Sequence, residues 1–246
     1  MTGRDNHPGI AATRAEVIKI LTLPWPMCTL GLAGLTALVP ALLADLRIST
    51  SGAETVARLP SSFGLSLCVI LFTVFGCLVA GSDLRSGELN LGLLAVPLRA
   101  RLFTAKLSAM LLLTACAAVL TFTLDRFVRQ LVSSGAEVTG VATWQTGTGY
   151  VISCVMFAVL GLTLTVLLRS TMIAVATLTL APILAVPLLQ RIAPLVDAAL
   201  PFSASGLTVT GDSQISAPWG AGVGVVLAWL VAASSVFALL LQRRDA

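Results

Sequence analysis

Apolar residues along this chain come in unbroken runs rather than in the short alternating patterns of half-buried strands. Six such runs stand out, at residues 25–44, 62–80, 107–124, 148–168, 171–189 and 219–241. Each is close to the length of about 20 residues that an α-helix needs to cross the hydrocarbon core of a bilayer. All are longer and more uniformly apolar than the alternating segments of about ten residues found in outer-membrane barrels. The pattern predicts an all-α integral membrane protein with six transmembrane helices.

The segments between the runs add detail. Residues 10–23 mix apolar and charged positions and predict a surface helix, on which Glu16 and Lys19 are spaced to pair. Pro24 and Pro26 mark a change of direction before the first run. Pro182 and Pro187 predict a kink in the fifth run, and Arg169–Ser170 a very tight turn before it. Ile192, Leu195, Val196, Ala199 and Leu200 recur at amphipathic-helix spacing. They predict a short re-entrant or interfacial helix before the last run, with Pro194 in its first turn and Pro201 and Gly206 ending it. Gly220 and Gly224 open the last run as a small-xxx-small pair, which lets another helix approach closely.

Composition agrees with a membrane chain. Of the 246 residues, 57% are hydrophobic and only 11% charged, against roughly 25% charged in an average soluble domain. Mean hydropathy is +0.98. With the N-terminus in the cytoplasm, the inner segments hold Arg4, Arg14, Lys19, Arg85, Arg99, Arg101, Lys106, Arg169, Arg243 and Arg244. The outer ones hold Arg47, Arg58, Arg126, Arg129 and Arg191. This two-to-one bias places both termini in the cytoplasm. The net charge of +4 then reflects topology and not nucleic-acid binding. Trp25, Trp144 and Trp219 fall at run edges, where amphipathic rings are favoured, while Trp229 does not.

Candidate chemistry is sparse. Cys28, Cys68, Cys77, Cys116 and Cys154 all fall within runs and lack metal-ligand spacing, so they are read as small buried hydrophobes. No Asp, Glu, Lys, Arg or His interrupts a run; Asp125 and Arg126 stand at an outer edge. His7 is the only histidine, so Ser–His and Cys–His nucleophilic pairs are excluded. No phosphate-binding loop for ATP hydrolysis is present. The runs do hold hydroxyls, at Thr114, Thr121, Thr123, Thr163, Thr165, Thr177 and Thr179. They serve helix packing or, together, an amphiphile-tolerant route.

The polar segment 81–106 carries more information. Asp83, Arg85 and Glu88 set both charge signs next to the membrane, and Gly87 allows a bend. Leu89, Leu93 and Val96 are spaced for a short amphipathic helix, stopped by Pro97. Arg99, Arg101 and Lys106 follow as a basic edge. A simple headgroup anchor would need only that basic edge.

With D-L-R-S-G-E-L at 83–89, L-L-A-V-P-L-R-A-R at 93–101 and Lys106, the chain resembles the permease subunits of type-2 ATP-binding-cassette exporters. In that family an acidic residue, a Gly-Thr-Leu step, a Leu-Leu run, a Pro followed by Arg, and a Lys opening the next span recur. Here Asp83 stands where Glu is usual and Glu88 where Thr is common. The resemblance implies a surface helix in residues 1–24 and a six-helix transmembrane domain in 25–246, with 81–106 as cytoplasmic coupling segment. It implies that Asp83, Arg85, Gly87 and Glu88 contact separate ATPase subunits and that Pro97, Arg99, Arg101 and Lys106 position the loop. It also implies that Pro194, Leu195, Ala199 and Leu200 form an exit-side helix. The chain itself would bind no cofactor or metal, with ATP and Mg on the partner ATPase. A second permease copy or a sister permease would complete a dimer in the bacterial plasma membrane, in contact with membrane lipids. The expected activity is efflux of a hydrophobic or amphiphilic compound, a class that includes antibiotic or lantibiotic-type peptides (hence antibiotic resistance) and lipids. Alternatives are an intramembrane lipid-modifying enzyme or a non-transporting assembly subunit.

Overall fold

The computed structural model describes residues 8–48, 63–86, 99–132, 140–193, 196, 199–210 and 219–243. Every element among them is an α-helix: α1 Pro8–Thr22, α2 Pro24–Ile48, α3 Phe63–Ser86, α4 Arg99–Val132, α5 Gly140–Leu168, α6 Thr171–Ile192, α7 Pro201–Thr210 and α8 Trp219–Arg243. Hydrocarbon offers no partner to a bare N–H or C=O, so such apolar runs must satisfy their backbone within the helix. Five helices contain stretches long and apolar enough to cross a bilayer: Leu67–Arg85, Thr104–Val128, Trp144–Leu168, Thr171–Leu189 and Trp219–Leu240. A sixth crossing is obtained when Ala12–Thr22 and Pro24–Leu38, bent by 75° at Leu23, are taken as one broken span. The chain is thus an all-α multi-pass membrane protein.

The bend falls at Pro24, where proline, with no N–H to give, starts a new helix. The Arg169–Ser170 turn is as tight as expected. Arg169 takes the left-handed conformation (φ 52°), and the Ser170 hydroxyl caps α6 by accepting from the Ile173 N–H at 3.4 Å.

Helices α3 and α5 form the centre. The apolar stretch of α5 is 67% buried, whereas that of α6 is 6% buried and lies at the periphery. Two apolar clusters divide the bundle lengthwise. One joins Phe72, Tyr150, Cys154, Phe157, Ala204 and Val226. The other joins Ile20, Phe75, Ala109, Met110, Leu162 and Phe237. The second cluster gathers α1, the C-terminal halves of α3, α5 and α8 and the N-terminal half of α4. Under the expected topology it is the cytoplasmic end.

Glycines set the central contact. A Cβ on Gly76 would overlap the carbonyl of Ala158, and one on Gly161 would overlap that of Thr73. Each glycine therefore admits the backbone of the other helix. Gly149 does the same for Thr208 of α7, and Gly81 for the Thr171 side chain of α6. Gly220 and Gly224 differ, because a Cβ there would meet nothing within 4 Å. Within this chain the expected close-packing pair is open, and Gly76 with Gly161 fills that role. Hydroxyls add polar ties between helices, Thr121 to Tyr150 at 3.0 Å and Ser153 to Thr208 at 3.1 Å.

Several expectations are corrected. Of the helix expected over 192–200, Ile192 belongs to α6 and Val196 is helical, while Pro194, Leu195, Asp197 and Ala198 lie outside the described residues. Pro201 begins a further helix, α7. Proline's fixed φ suits a first turn, and α7 continues through Gly206 because its buried Ala204, Ser205 and Thr208 face α5 and α8. The connection 125–147 is mostly helical, since α4 runs to Val132 and α5 begins at Gly140. At 34 residues α4 is about 51 Å long, so its charged ends project beyond the hydrocarbon. Cys28 and Cys116 are exposed, unlike Cys68, Cys77 and Cys154. Pro182 and Pro187 lie inside α6, which runs unbroken as a helix through both. Trp229, itself 37% exposed, donates its indole N–H to the Ala199 carbonyl at 2.8 Å.

The glycine contacts predict an asymmetric result. Gly76→Ala or Gly161→Ala should lower stability by about 1–3 kcal/mol, as overpacking does, whereas Gly220→Ala should stay within about 0.5 kcal/mol. Unfolding of the detergent-solubilised variants measures both.

Candidate functional site

The charged residues of segment 81–106 divide between two helices and two environments. Asp83 and Arg85 belong to the last turn of α3, and Lys106 to the beginning of α4. On α3, Asp83 follows Gly76, Val79 and Ala80 by seven, four and three residues, which places it on the helix's buried face. Arg85 is rotated off that face and is exposed. On α4, Lys106 precedes the buried Ala109 and Met110 by three and four residues, again on the packed face. Helical phase thus turns one carboxylate and one ammonium toward each other.

Helix α1 supplies the third charge. Its Ile20 packs into the second cluster beside Phe75 and Met110, and Thr13 shares a 3.1 Å hydrogen bond with Ser108. This docking carries Lys19 over Asp83, where its Nζ donates to Oδ1 at 2.6 Å. Lys106 forms an ion pair with Asp83 Oδ2. Side-chain exposure falls from 29% at Lys19 to 6% at Lys106 and 2% at Asp83. The carboxylate is therefore enclosed by two ammonium groups from two helices. Glu16, also on α1, lies within electrostatic reach of Lys106 and offsets the second positive charge.

Burying these charges is costly, of order several kcal/mol per ion, unless each is paired. At an effective dielectric near 20, opposite charges about 4 Å apart attract by about 4 kcal/mol, enough to hold the group once it is assembled. The cluster is a joint: it closes only if α1 lies across the facing ends of α3 and α4. Glu16 and Lys19, spaced to pair with each other, serve here with partners on α4 and α3.

None of the other expected residues is described as part of this cluster. Gly87, Glu88, Pro97, Pro194 and Leu195 lie outside the described residues, as do Leu89, Leu93 and Val96 and the tail 1–7. Arg99 and Arg101 are in the first turn of α4. Ala199 and Leu200 form the turn into α7 and are exposed and half-buried. The membrane threonines bond mostly to their own helices, Thr165 to the Gly161 carbonyl and Thr179 to that of Val175, each at 2.8 Å. Thr163 also reaches across to Ala233 of α8 at 3.2 Å. These bonds serve helix packing, while Thr123 and Thr177 are exposed. Among the described residues, no group of three or more His, Cys, Asp or Glu side chains could hold a metal.

The joint itself does not follow from the run boundaries. By those boundaries Asp83 and Lys106 are loop residues, whereas extending each apolar run by one helical turn shows both on its packed face. Nothing in the sequence directs Lys19 to Asp83, which is 64 residues away.

The joint predicts unequal losses. Asp83→Asn leaves Lys106 buried without its counter-ion and should cost about 3–5 kcal/mol. Lys19→Gln, at a partly exposed position, should cost at most about 1 kcal/mol. An Asp83→Leu/Lys106→Met double variant should recover most of the loss. Equilibrium unfolding of the three proteins would reject the joint if Asp83→Asn were no worse than Lys19→Gln.

Comparison with models of known protein families finds no match, and comparison with curated proteins finds none either.

Proposed function

We propose that this chain is the membrane-spanning subunit of an ATP-driven exporter for a hydrophobic or amphiphilic compound, working in the bacterial plasma membrane with separate ATPase subunits. The observation that carries the reading is the joint of Lys19, Asp83 and Lys106. It fastens surface helix α1 to the two helix ends that flank residues 87–98, the segment whose sequence resembles a coupling element. A partner pressing on that segment or on α1 would push on α3, which packs against the central helix α5 through Gly76 and Gly161.

In this mechanism Arg85 and Glu88 meet the ATPase, while Asp83 acts as a positioning residue that keeps α1, α3 and α4 moving as one body. Closure of the ATPases on ATP displaces the joint, and the packing of α3 on α5 passes the displacement along the bundle. The chain contributes no nucleotide chemistry. A second permease copy or a sister permease supplies the other half of the path, and α7 shields the exit side.

The test is copurification with an ATPase encoded beside this chain, followed by its ATPase rate in vesicles. Arg85→Glu together with Glu88→Lys should leave the fold intact, because Arg85 is exposed and neither residue belongs to the joint. The double reversal removes two charge-assisted bonds to the ATPase, so its binding should weaken by at least about tenfold and efflux should cease. An adjacent ATPase that never binds, or whose binding and turnover ignore the double reversal, would defeat the proposal.

A further inference from the structure

At the end of the bundle opposite the joint, α4 and α5 part to leave an open groove of about 570 Å³. Its lining is almost wholly apolar, with Val119 and Phe122 from α4 and Trp144, Gly147 and Val151 from α5. Gly147 makes the hollow: a Cβ there would stand 2.8 Å from the Phe122 ring. Phe122 is backed in turn by Tyr150, with ring centroids 6.0 Å apart. The groove lies within the stretches Thr104–Val128 and Trp144–Leu168, so its wall is at membrane depth.

Its rim carries a basic side chain. One turn beyond Phe122, the Arg126 guanidinium lies over that ring, 5.0 Å from its centroid. The neighbouring Asp125 is 1% exposed, whereas Arg126 is half-buried. Trp144 is 72% exposed at the end of its apolar stretch, where indole rings favour the headgroup layer. The groove is therefore a hydrocarbon trough with a cation at headgroup depth. That complements a molecule with an acyl chain and an anionic head, because a guanidinium forms strong charge-assisted bonds with phosphate.

We propose that this groove is a binding site for an anionic phospholipid, its acyl chain lying along Val119, Phe122 and Val151 and its phosphate meeting Arg126. The site does not depend on the transport reading. It gives α4 and α5 a bound lipid between their outer halves, whatever the chain's partners at the other end.

Trp144 is a built-in reporter. In the full chain, Trp25, Trp219 and Trp229 are replaced by Phe, leaving Trp144 as the sole indole emitter, and retained helix content is checked by circular dichroism. The protein is placed in phosphatidylcholine vesicles containing small fractions of lipid brominated in the acyl chain, with either a phosphatidylglycerol or a phosphatidylcholine head. Brominated phosphatidylglycerol should quench Trp144 with an apparent affinity about fivefold higher, the preference one near-surface cation gives. Arg126→Gln should remove the difference and Arg126→Lys keep most of it. Val119→Phe, at an exposed wall position, should reduce quenching by both lipids. Equal quenching by the two heads in the unsubstituted groove would overturn the proposal. So would quenching by neither, as when a second copy of the chain covers the groove, or undiminished quenching in Val119→Phe. Should Arg126→Gln fail to fold, the comparison of the two headgroups decides alone.

Discussion

The contact of α3 with α5 at Gly76 and Gly161 is the constraint on which the bundle depends. In lipid, apolar surface gains nothing by turning from hydrocarbon to protein, so helices associate through close van der Waals fit and interhelical hydrogen bonds. Two glycines, each facing the other helix's backbone, permit that fit at the centre. Helix α5 then becomes the post around which α3, α4, α7 and α8 are arranged. Peripheral α6 touches this core mainly through its first turns, where Thr171 meets Gly81.

The two ends of the bundle solve different electrostatic problems. At the joint, Asp83 is balanced inside the protein by Lys19 and Lys106. The arrangement ties α3 to α4, because neither Asp83 nor Lys106 can leave without stranding a buried charge, and Lys19 adds α1 from a partly exposed position. At the other end Asp125 is buried and Arg126 lies over the Phe122 ring beside an open groove. One end is thus closed upon itself and suits mechanical coupling, while the other presents a cation and an apolar trough to the bilayer. This polarity agrees with the proposed division of labour, in which force enters at the joint.

Legibility from sequence followed the range of the physics involved. The apolar runs, the break at Pro24 and the turn at Arg169–Ser170 are local, set by transfer energy and backbone sterics, and they are readable residue by residue. The helix α7 is missed by the sequence pattern because a proline such as Pro201 reads equally as an ending or a beginning. Only the packing of Ala204 and Thr208 against neighbouring helices favours the second. Gly220 and Gly224 have the spacing of a packing motif, yet spacing carries no information about what lies opposite.

By itself the sequence determined that this is a multi-pass helical membrane protein, because twenty-residue apolar runs admit one stable backbone state in hydrocarbon. It also determined which residues of segment 81–106 bear charge. Tertiary structure alone decided that Asp83 and Lys106 meet each other and Lys19, that Gly76 and Gly161 make the central close contact, and that Phe122, Gly147 and Arg126 frame a groove. The reason is that pairing across 64 residues of chain depends on helix rotation and depth, which no local pattern encodes.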